Sequence, residues 1–293
     1  MTSLPETVTL LARAKLNLRL EIFGRRPDGL HEVRSLVGDL ALADELSVAR
    51  APGPFCFECE GAHIPEHENL AWKAAKLLGV DLSGLHVLLR KRIPLQAGLG
   101  GGSADAAAML HLVADEARAQ GHAVTDEMLV RFAASLGSDV AACLFRGFKM
   151  VEGAGERVRP LAMPAPSWGI VLLQPDVRVA TSDAYRLLDE TRGVDVPRPS
   201  GALDVLIAAL GAGDFALACA HLHNDFEPVI SAAFPAIAAA GSRLRDAGAS
   251  ETLLCGSGSC VAGFFESVDA AQRAHGRLQA GASEWCRVTT LAE

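Results

Sequence analysis

The sequence predicts an α+β protein built in two halves, and three observations carry that expectation. The first forty-five residues read as strands, with no helical period among them. A loop in which four of the five residues Gly98–Gly102 are glycine joins a strand-like run to an alanine-rich helical pattern. The second half then runs as strand, helices, two strands, helix and strand. That order suits a split βαβ layer better than a doubly wound parallel sheet.

Val8 to Phe23 alternates imperfectly around Ala14-Lys15-Leu16-Asn17-Leu18, and the turn residues Arg25-Arg26-Pro27-Asp28-Gly29 break it. Val33 to Val48 carries one or two further strands. Glu68 to Leu78 is the first helix, with Leu70, Ala74 and Leu77 on one face. The strand Leu85–Arg90, the glycine loop and a helix from Ser103 to Arg118 follow. Thr125 is placed to cap a helix ending near Gly137, with Asp126 and Glu127 against the positive end of its dipole. Ser138-Asp139-Val140 opens a short apolar segment, and Phe148 to Val158 reads as a hairpin or loop. Prolines 160, 164 and 166 mark a boundary that divides the chain into domains 1–158 and 159–293. Beyond it, Gly169–Leu173 is a strand and helices fall at 182–190, 201–210, 213–223 and 233–247. Thr252–Phe265 is strand, loop and strand, a helix covers 268–279, and a strand at 286–291 finishes the chain.

Half of the 293 residues are apolar and 21% are charged, which suits a folded domain rather than a disordered chain. The net charge of −8 argues against a general nucleic-acid binder, whose affinity needs a basic face. A nucleotide ligand stays open, because a local cluster such as Arg90-Lys91-Arg92 acts where the global charge does not. The uncharged run Pro228–Ser242 falls short of the ~20 residues of a membrane span and contains Pro235. Glu6, Arg13 and Lys15 interrupt the first apolar stretch, so neither a signal peptide nor a membrane partner is expected. Seven cysteines without regular spacing suggest reduced thiols and a cytoplasmic protein. Cys56-Phe57-Glu58-Cys59 lacks a second pair of ligands and His221-Leu222-His223 is weak as a metal motif, so no metal ligand is assigned to either.

The glycine loop is the strongest chemical signal. Successive glycine N–H groups crowd a phosphate with no Cβ in the way, and a helix start adds partial positive charge. The Gly-Lys-Ser/Thr ending of a Walker loop is absent, and the match to a dinucleotide fingerprint is poor. Taken alone, the loop is either a phosphate cradle or a tight turn.

Three separated motifs decide between these: Ala14-Lys15-Leu16-Asn17, the run Pro94-Leu95-Gln96-Ala97-Gly98-Leu99-Gly100-Gly101-Gly102-Ser103-Ala104-Asp105, and Gly256-Ser257-Gly258-Ser259. In this order they resemble the GHMP superfamily of small-molecule kinases, which includes galactokinase, homoserine kinase and mevalonate kinase. Pro27-Asp28-Gly29-Leu30-His31-Glu32, Gly137-Ser138-Asp139-Val140 and His223-Asn224-Asp225-Phe226-Glu227-Pro228 narrow the likeness to the 4-diphosphocytidyl-2-C-methylerythritol kinase family. The resemblance runs over nearly the whole chain. It implies a two-domain GHMP kinase fold, with an N-terminal ATP-binding domain and a C-terminal ferredoxin-like split βαβ domain. It also implies transfer of the γ-phosphoryl group of ATP to the 2-hydroxyl of 4-diphosphocytidyl-2-C-methylerythritol, in the non-mevalonate route to isoprenoids.

The site residues follow from the same resemblance. Pro94, Gly98, Leu99, Gly100, Gly101, Gly102, Ser103 and Ala104 are expected on the ATP phosphates, and Asn69 and Lys91 at the adenine. The charge on ATP implies Mg2+, for which Ser103 is a candidate contact. Asp139 is expected as general base, since a carboxylate beside a high-pKa hydroxyl accepts its proton as attack proceeds. Lys15 is expected as the cation that keeps this base ionised and softens charge on the transferred group. By local context alone, a strand lysine is a solvated edge residue and Asp139 is a helix cap. His31 stands where the family reads the cytosine edge and Tyr185 where a ring stacks on the base, with Thr181 and Asn17 as hydrogen-bonding candidates. Leu30 departs from the pattern, which commonly has a stacking tyrosine; leucine covers a base without aromatic overlap. The alternatives are another member of the superfamily, and a catalytically silent nucleotide sensor. The sensor would lack Lys15 or Asp139, and both are present.

Overall fold

The computed structural model describes residues 7–193, 200–278 and 280–293. Contacts group them into two compact units that interleave along the chain. The first takes the described residues up to Ala14 with Leu42–Leu95 and Gly100–Phe145; the second takes Lys15–Ala41, Gln96–Leu99 and everything from Arg146. Two long strands, β1 (Val8–Arg25) and β2 (His31–Arg50), have residues in both.

The rest of the first unit is β3 (Cys56–Glu60), α1 (Leu70–Leu77), β4 (Leu85–Arg90), α2 (Gly101–Ala119), α3 (Asp126–Leu136) and α4 (Val140–Cys143). β4 runs antiparallel to the end of β2, from Glu45 opposite Arg90 to Arg50 opposite Leu85, and parallel to β3. Its period of two turns Leu85, Val87 and Leu89 into the core. α1 packs on α2 through small residues, buried Ala71, Ala74 and Ala75 on one helix and a run of buried alanines on the other, which lets the two backbones approach. Thr125 caps α3 by accepting from Met128 N at 3.3 Å, as its sequence position predicts.

The second unit continues with β5 (Phe148–Gly153), β6 (Arg157–Leu161), β7 (Gly169–Gln174), α5 (Thr181–Arg192), α6 (Ala202–Ala212) and α7 (Phe215–Cys219). After these come β8 (His223–Asn224), α8 (Glu227–Ala233), α9 (Pro235–Asp246), β9 (Glu251–Leu254), β10 (Val261–Phe265), α10 (Val268–Arg277), β11 (Trp285–Thr289) and β12 (Leu291–Ala292). β5 and β6 form a hairpin, and β5 pairs with Val33–Val37 of β2. A separate four-stranded antiparallel sheet has the order β11-β7-β10-β9. Numbered within that sheet the order is 4-1-3-2, with helices between its first and second strands and between its third and fourth. This is the expected split βαβ layer. Among the described residues no helix is long and apolar enough to cross a membrane.

The structure corrects several boundaries. The helix expected at 213–223 stops at Cys219, because His223 and Asn224 pair with Arg19 and Leu20 of β1. The helix expected at 233–247 is α9, and α8 precedes it; Pro235, at the first turn of α9, separates the two. α2 begins at Gly101 rather than Ser103. The end of the helix expected at 279 lies outside the described residues. The short strands β3, β8 and β12 were not expected, since their partners lie far away in sequence.

α10 lies against β7 where Gly169 leaves room: a Cβ there would stand 2.4 Å from Ser267 O and 2.5 Å from Ala271 Cβ. Gly169→Ala should therefore destabilise the protein by ~1–3 kcal/mol through overpacking, lowering its urea midpoint. An unchanged midpoint would show that this contact gives way freely.

Candidate active site

In the second unit, two glycine loops meet backbone to backbone. The Ser259 N–H donates to Gln96 O and the Cys260 N–H to Ala97 O, each at 3.3 Å. Gly98, at φ +75°, lies so close that a Cβ would fall 1.7 Å from Cys255 O. The Lys15 N–H in turn donates to Leu99 O at 2.9 Å, which brings β1 to the same junction. The Lys15 side chain is buried there, and a Cβ on Gly256 would lie 3.2 Å from its Nζ. Lys15 Nζ donates to Asn17 Oδ1 at 2.6 Å, and Asn17 Nδ2 donates to Ser35 Oγ at 2.9 Å. Thr181, at the start of α5, has its Oγ1 3.1 Å from Ser257 Oγ. Lys15, Asn17, Gly98, Leu99 and Thr181 thus converge around the loop of the third motif. Asn224 holds that loop from behind, its Nδ2 donating to Leu254 O and Gly256 O at 2.7 Å each. Cys255 and Cys260 bracket the loop in the core, and burial pushes the Cys260 thiol well up, so it serves as packing.

A second cluster of the same unit surrounds His31. Its ring stacks on Tyr185, with centroids 4.6 Å apart and planes at 19°, and its Nε2 lies 2.7 Å from Asp189 Oδ1. Phe226 meets the Tyr185 ring edge-on at 4.9 Å. Leu30 is 55% exposed. Asp225, two residues after His223, accepts from the Ile22 N–H at 2.6 Å and faces His223 Nε2 at 2.7 Å and Arg192 Nη2 at 2.9 Å. These bonds hold its carboxyl below the usual range against the opposing effect of burial, the largest single influence on it.

The first unit holds the other half of the glycine loop. Gly100, at φ +68°, leads into α2 without any side-chain cap, so the N–H groups of the first turn are open to an anion. Gly101 and Gly102 keep that approach clear, and Gly102 is exposed. Gly101 is required sterically as well, because a Cβ would stand 2.9 Å from Ile93 Cγ2. Ser103 and Ala104 follow in the first turn. Asn69 caps α1 through Oδ1, which accepts from Ala71 N at 2.9 Å; its buried Nδ2 has no partner among the described residues and is an available donor. Asp139, half-buried, precedes α4 as its N-cap residue without making a side-chain cap bond.

Lys91 stands apart from the exposed cluster its neighbours suggest. Its ammonium is buried between the carboxylates of Asp44 and Asp105, whose own side chains are also buried. Asp44 further accepts from the N–H groups of Arg92 and, at 2.8 Å, Ile93, which pins the segment entering Pro94 and the loop. Burial, together with the neighbouring Asp44, lifts the Asp105 carboxyl to about 7 in spite of the opposing Lys91 charge, and Asp105 Oδ1 is buried without a partner among the described residues. Cys59 is the other titratable group close by, its thiol pushed up by burial. Cys56 and Cys59, three apart on β3, face opposite sides of the strand and do not converge. Among the described residues no group of three or more His, Cys, Asp or Glu is arranged to hold a metal ion.

Comparison with known proteins shows the family. The description "GHMP kinases N terminal domain" fits residues 69–147 and "GHMP kinases C terminal" fits residues 206–283. A protein of Geobacter sp. (strain M21) named 4-diphosphocytidyl-2-C-methyl-D-erythritol kinase is 37% identical over 92% of this chain and 94% of its own. One of the same name from Pelotomaculum thermopropionicum is 38% identical over 93% and 94%. This chain belongs to the 4-diphosphocytidyl-2-C-methyl-D-erythritol kinase family. A crystal structure titled as 4-(cytidine 5'-diphospho)-2C-methyl-D-erythritol kinase superposes with a TM-score of 0.79 at 34% identity, covering 97% of this chain and all of that one. A homoserine kinase from Cytophaga hutchinsonii, at a TM-score of 0.69 and 20% identity over 99% of this chain and 96% of its own, shares the fold alone.

Sequence reasoning missed Asp44, Asn224 and Asp189. Asn224 lay inside a quoted motif, whereas Asp44 and Asp189 carried no local signal beyond being single acids in a strand and a helix. The Asp105 carboxyl makes a sign-definite prediction. The folded protein holds its proton up to about pH 7, whereas the unfolded chain loses it near ~4. The stability it contributes is fully present below the unfolded value and is lost as pH rises through 7. Asp105→Asn cannot ionise, so from about pH 5 to about pH 8 its urea midpoint should rise relative to the parent's. A difference independent of pH would remove the buried-acid reading.

Proposed function

We propose that this chain transfers the γ-phosphoryl group of ATP to the 2-hydroxyl of 4-diphosphocytidyl-2-C-methyl-D-erythritol, as a cytoplasmic enzyme of isoprenoid precursor synthesis. The observation that carries the reading is the convergence of all three sequence motifs' residues, Lys15 with Asn17, Gln96–Leu99 and Gly256–Ser259, in a chain of this family. Residues 1–158 then serve ATP binding and 159–293 complete the substrate side.

Phosphoryl transfer asks the protein for position and charge stabilisation more than for covalent help. The open N–H groups of Gly101, Gly102 and Ser103 bind phosphate oxygens, with Pro94, Gly98, Leu99, Gly100 and Ala104 shaping the loop. Asn69 offers its spare amide donor to the adenine. Lys91, pinned between Asp44 and Asp105, supports the loop's entry rather than reaching freely toward ATP. Asp139 takes the proton of the attacking hydroxyl. Lys15, fixed by Asn17, stabilises charge that builds on the transferred group. At the other end of the substrate, His31 and Tyr185 receive the cytosine, and Thr181 and Asn17 hydrogen-bond the remainder. A magnesium ion on ATP fits the donor set: the Ser103 hydroxyl would be its protein contact beside phosphate oxygens, and no all-protein cage is needed for an ion that keeps most of its waters. When bound, it would neutralise phosphate charge.

The test is an ATP-to-ADP coupled assay with 4-diphosphocytidyl-2-C-methyl-D-erythritol, homoserine or mevalonate. Turnover is expected with the cytidyl substrate alone, and Asp139→Ala should lower kcat by ~10²–10⁴ while ATP binding persists. Turnover with homoserine or mevalonate would reassign the substrate, and an undiminished Asp139→Ala would remove Asp139 as the base.

A further inference from the structure

We infer that Asp189 is a positioning residue that holds the His31 imidazole in one tautomer, so that the remaining ring nitrogen selects a base edge bearing an exocyclic amine. The inference rests on reading this cluster as the seat of a cytidyl nucleotide. Tyr185 and Asp189 stand four residues apart on α5, one helical turn, and so share a face. From that face Tyr185 covers the flat side of the imidazole and Asp189 engages its edge at Nε2. Phe226 braces Tyr185 from its other surroundings, and the His31 side chain is only 5% exposed. Ring position and ring rotation are therefore both constrained.

The chemistry follows from the donor count. A carboxylate only accepts hydrogen bonds, so the hydrogen between the two groups belongs to Nε2. In the neutral ring Nδ1 then carries a lone pair, because the bond made by one ring nitrogen sets the state of the other. An acceptor at that place suits the 4-amino group of cytosine and opposes the 4-oxygen of uracil. The charged group facing Asp189 from outside the cluster is Arg25, whose Nε lies 3.5 Å from Oδ2 and helps hold the carboxylate in place. Leu30, next to His31, has no ring to grip the base, which leaves discrimination to this hydrogen bond.

The experiment compares the parent with Asp189→Ala and Asp189→Glu. Long-range proton–nitrogen NMR, with the His31 signals assigned through His31→Gln, reads the tautomer without substrate. Calorimetry reads binding of cytidine diphosphate against uridine diphosphate, and the coupled assay separates KM from kcat. The parent should show the Nε2-protonated ring and prefer the cytidine nucleotide. Asp189→Ala should mix the tautomers, weaken cytidine diphosphate by roughly tenfold and narrow its advantage over uridine diphosphate, with kcat near the parent's. Asp189→Glu should recover part of each. Unchanged tautomer and unchanged affinity in Asp189→Ala would overturn the proposal, as would a mixed tautomer in the parent. Should the parent hold the single tautomer yet bind neither nucleotide, the nucleotide reading fails and the selection role fails with it.

Discussion

The main-chain junction between Gln96–Leu99 and Cys255–Cys260 is the contact on which the site depends. It brings together segments far apart in sequence at a distance that only glycine permits, since a Cβ at Gly98 would overlap the Cys255 carbonyl. The two loops and the Lys15 backbone are tied together there by main-chain hydrogen bonds. Lys15 is tied through its own N–H to Leu99, and Gly256 leaves space for its ammonium. A loop positioned in this way needs little reorganisation when charge develops against it, which is the condition under which electrostatic stabilisation is most effective. Asn224 extends the same logic, because one buried amide satisfies two carbonyls of the loop at once.

The other half of the glycine loop is supported by charge. Asp44 collects an ammonium and two backbone N–H groups at the point where β4 gives way to the loop. With two carboxylates and one lysine, the buried cluster carries one negative charge too many, and the elevated Asp105 carboxyl relieves it by keeping its proton near neutrality. Such a cluster is a poor source of stability but a good way to fix a register, since removing any member strands the others. It lies where β4 gives way to the loop, so the register it fixes is that of the segment leading to the α2 N-terminus.

Around His31 the structure combines ring stacking with a carboxylate contact. Tyr185 stacks on His31 and Phe226 packs in turn on Tyr185, while Leu30 is exposed. The ring is thereby held by stacking on its flat side and by the Asp189 carboxylate at its edge.

The strands and helices with clear periodicity, the cap at Thr125 and the three motifs were legible in the sequence because each is written in local chemistry: alternation, a capping oxygen and runs of glycine. The split βαβ layer was legible from element order alone. α8, ahead of Pro235, went unread because its seven residues are too few for a helical period to show. The strands β8 and β12 were illegible for a different reason, each being two residues made into a strand only by a distant partner. The basic triplet Arg90-Lys91-Arg92 shows the limit most clearly. Sequence reads it as one exposed cluster, whereas the pleat sends Lys91 inward to Asp44, 47 residues away, because that carboxylate lies buried beside it. By itself, then, the sequence determined the α+β class, the family and the identity of the glycine loops, all of which depend on residue type and order. Only the tertiary structure decided which carboxylates hold Lys91 and His31 and how closely the two loops approach, because those outcomes depend on burial and distance between segments that local pattern does not encode.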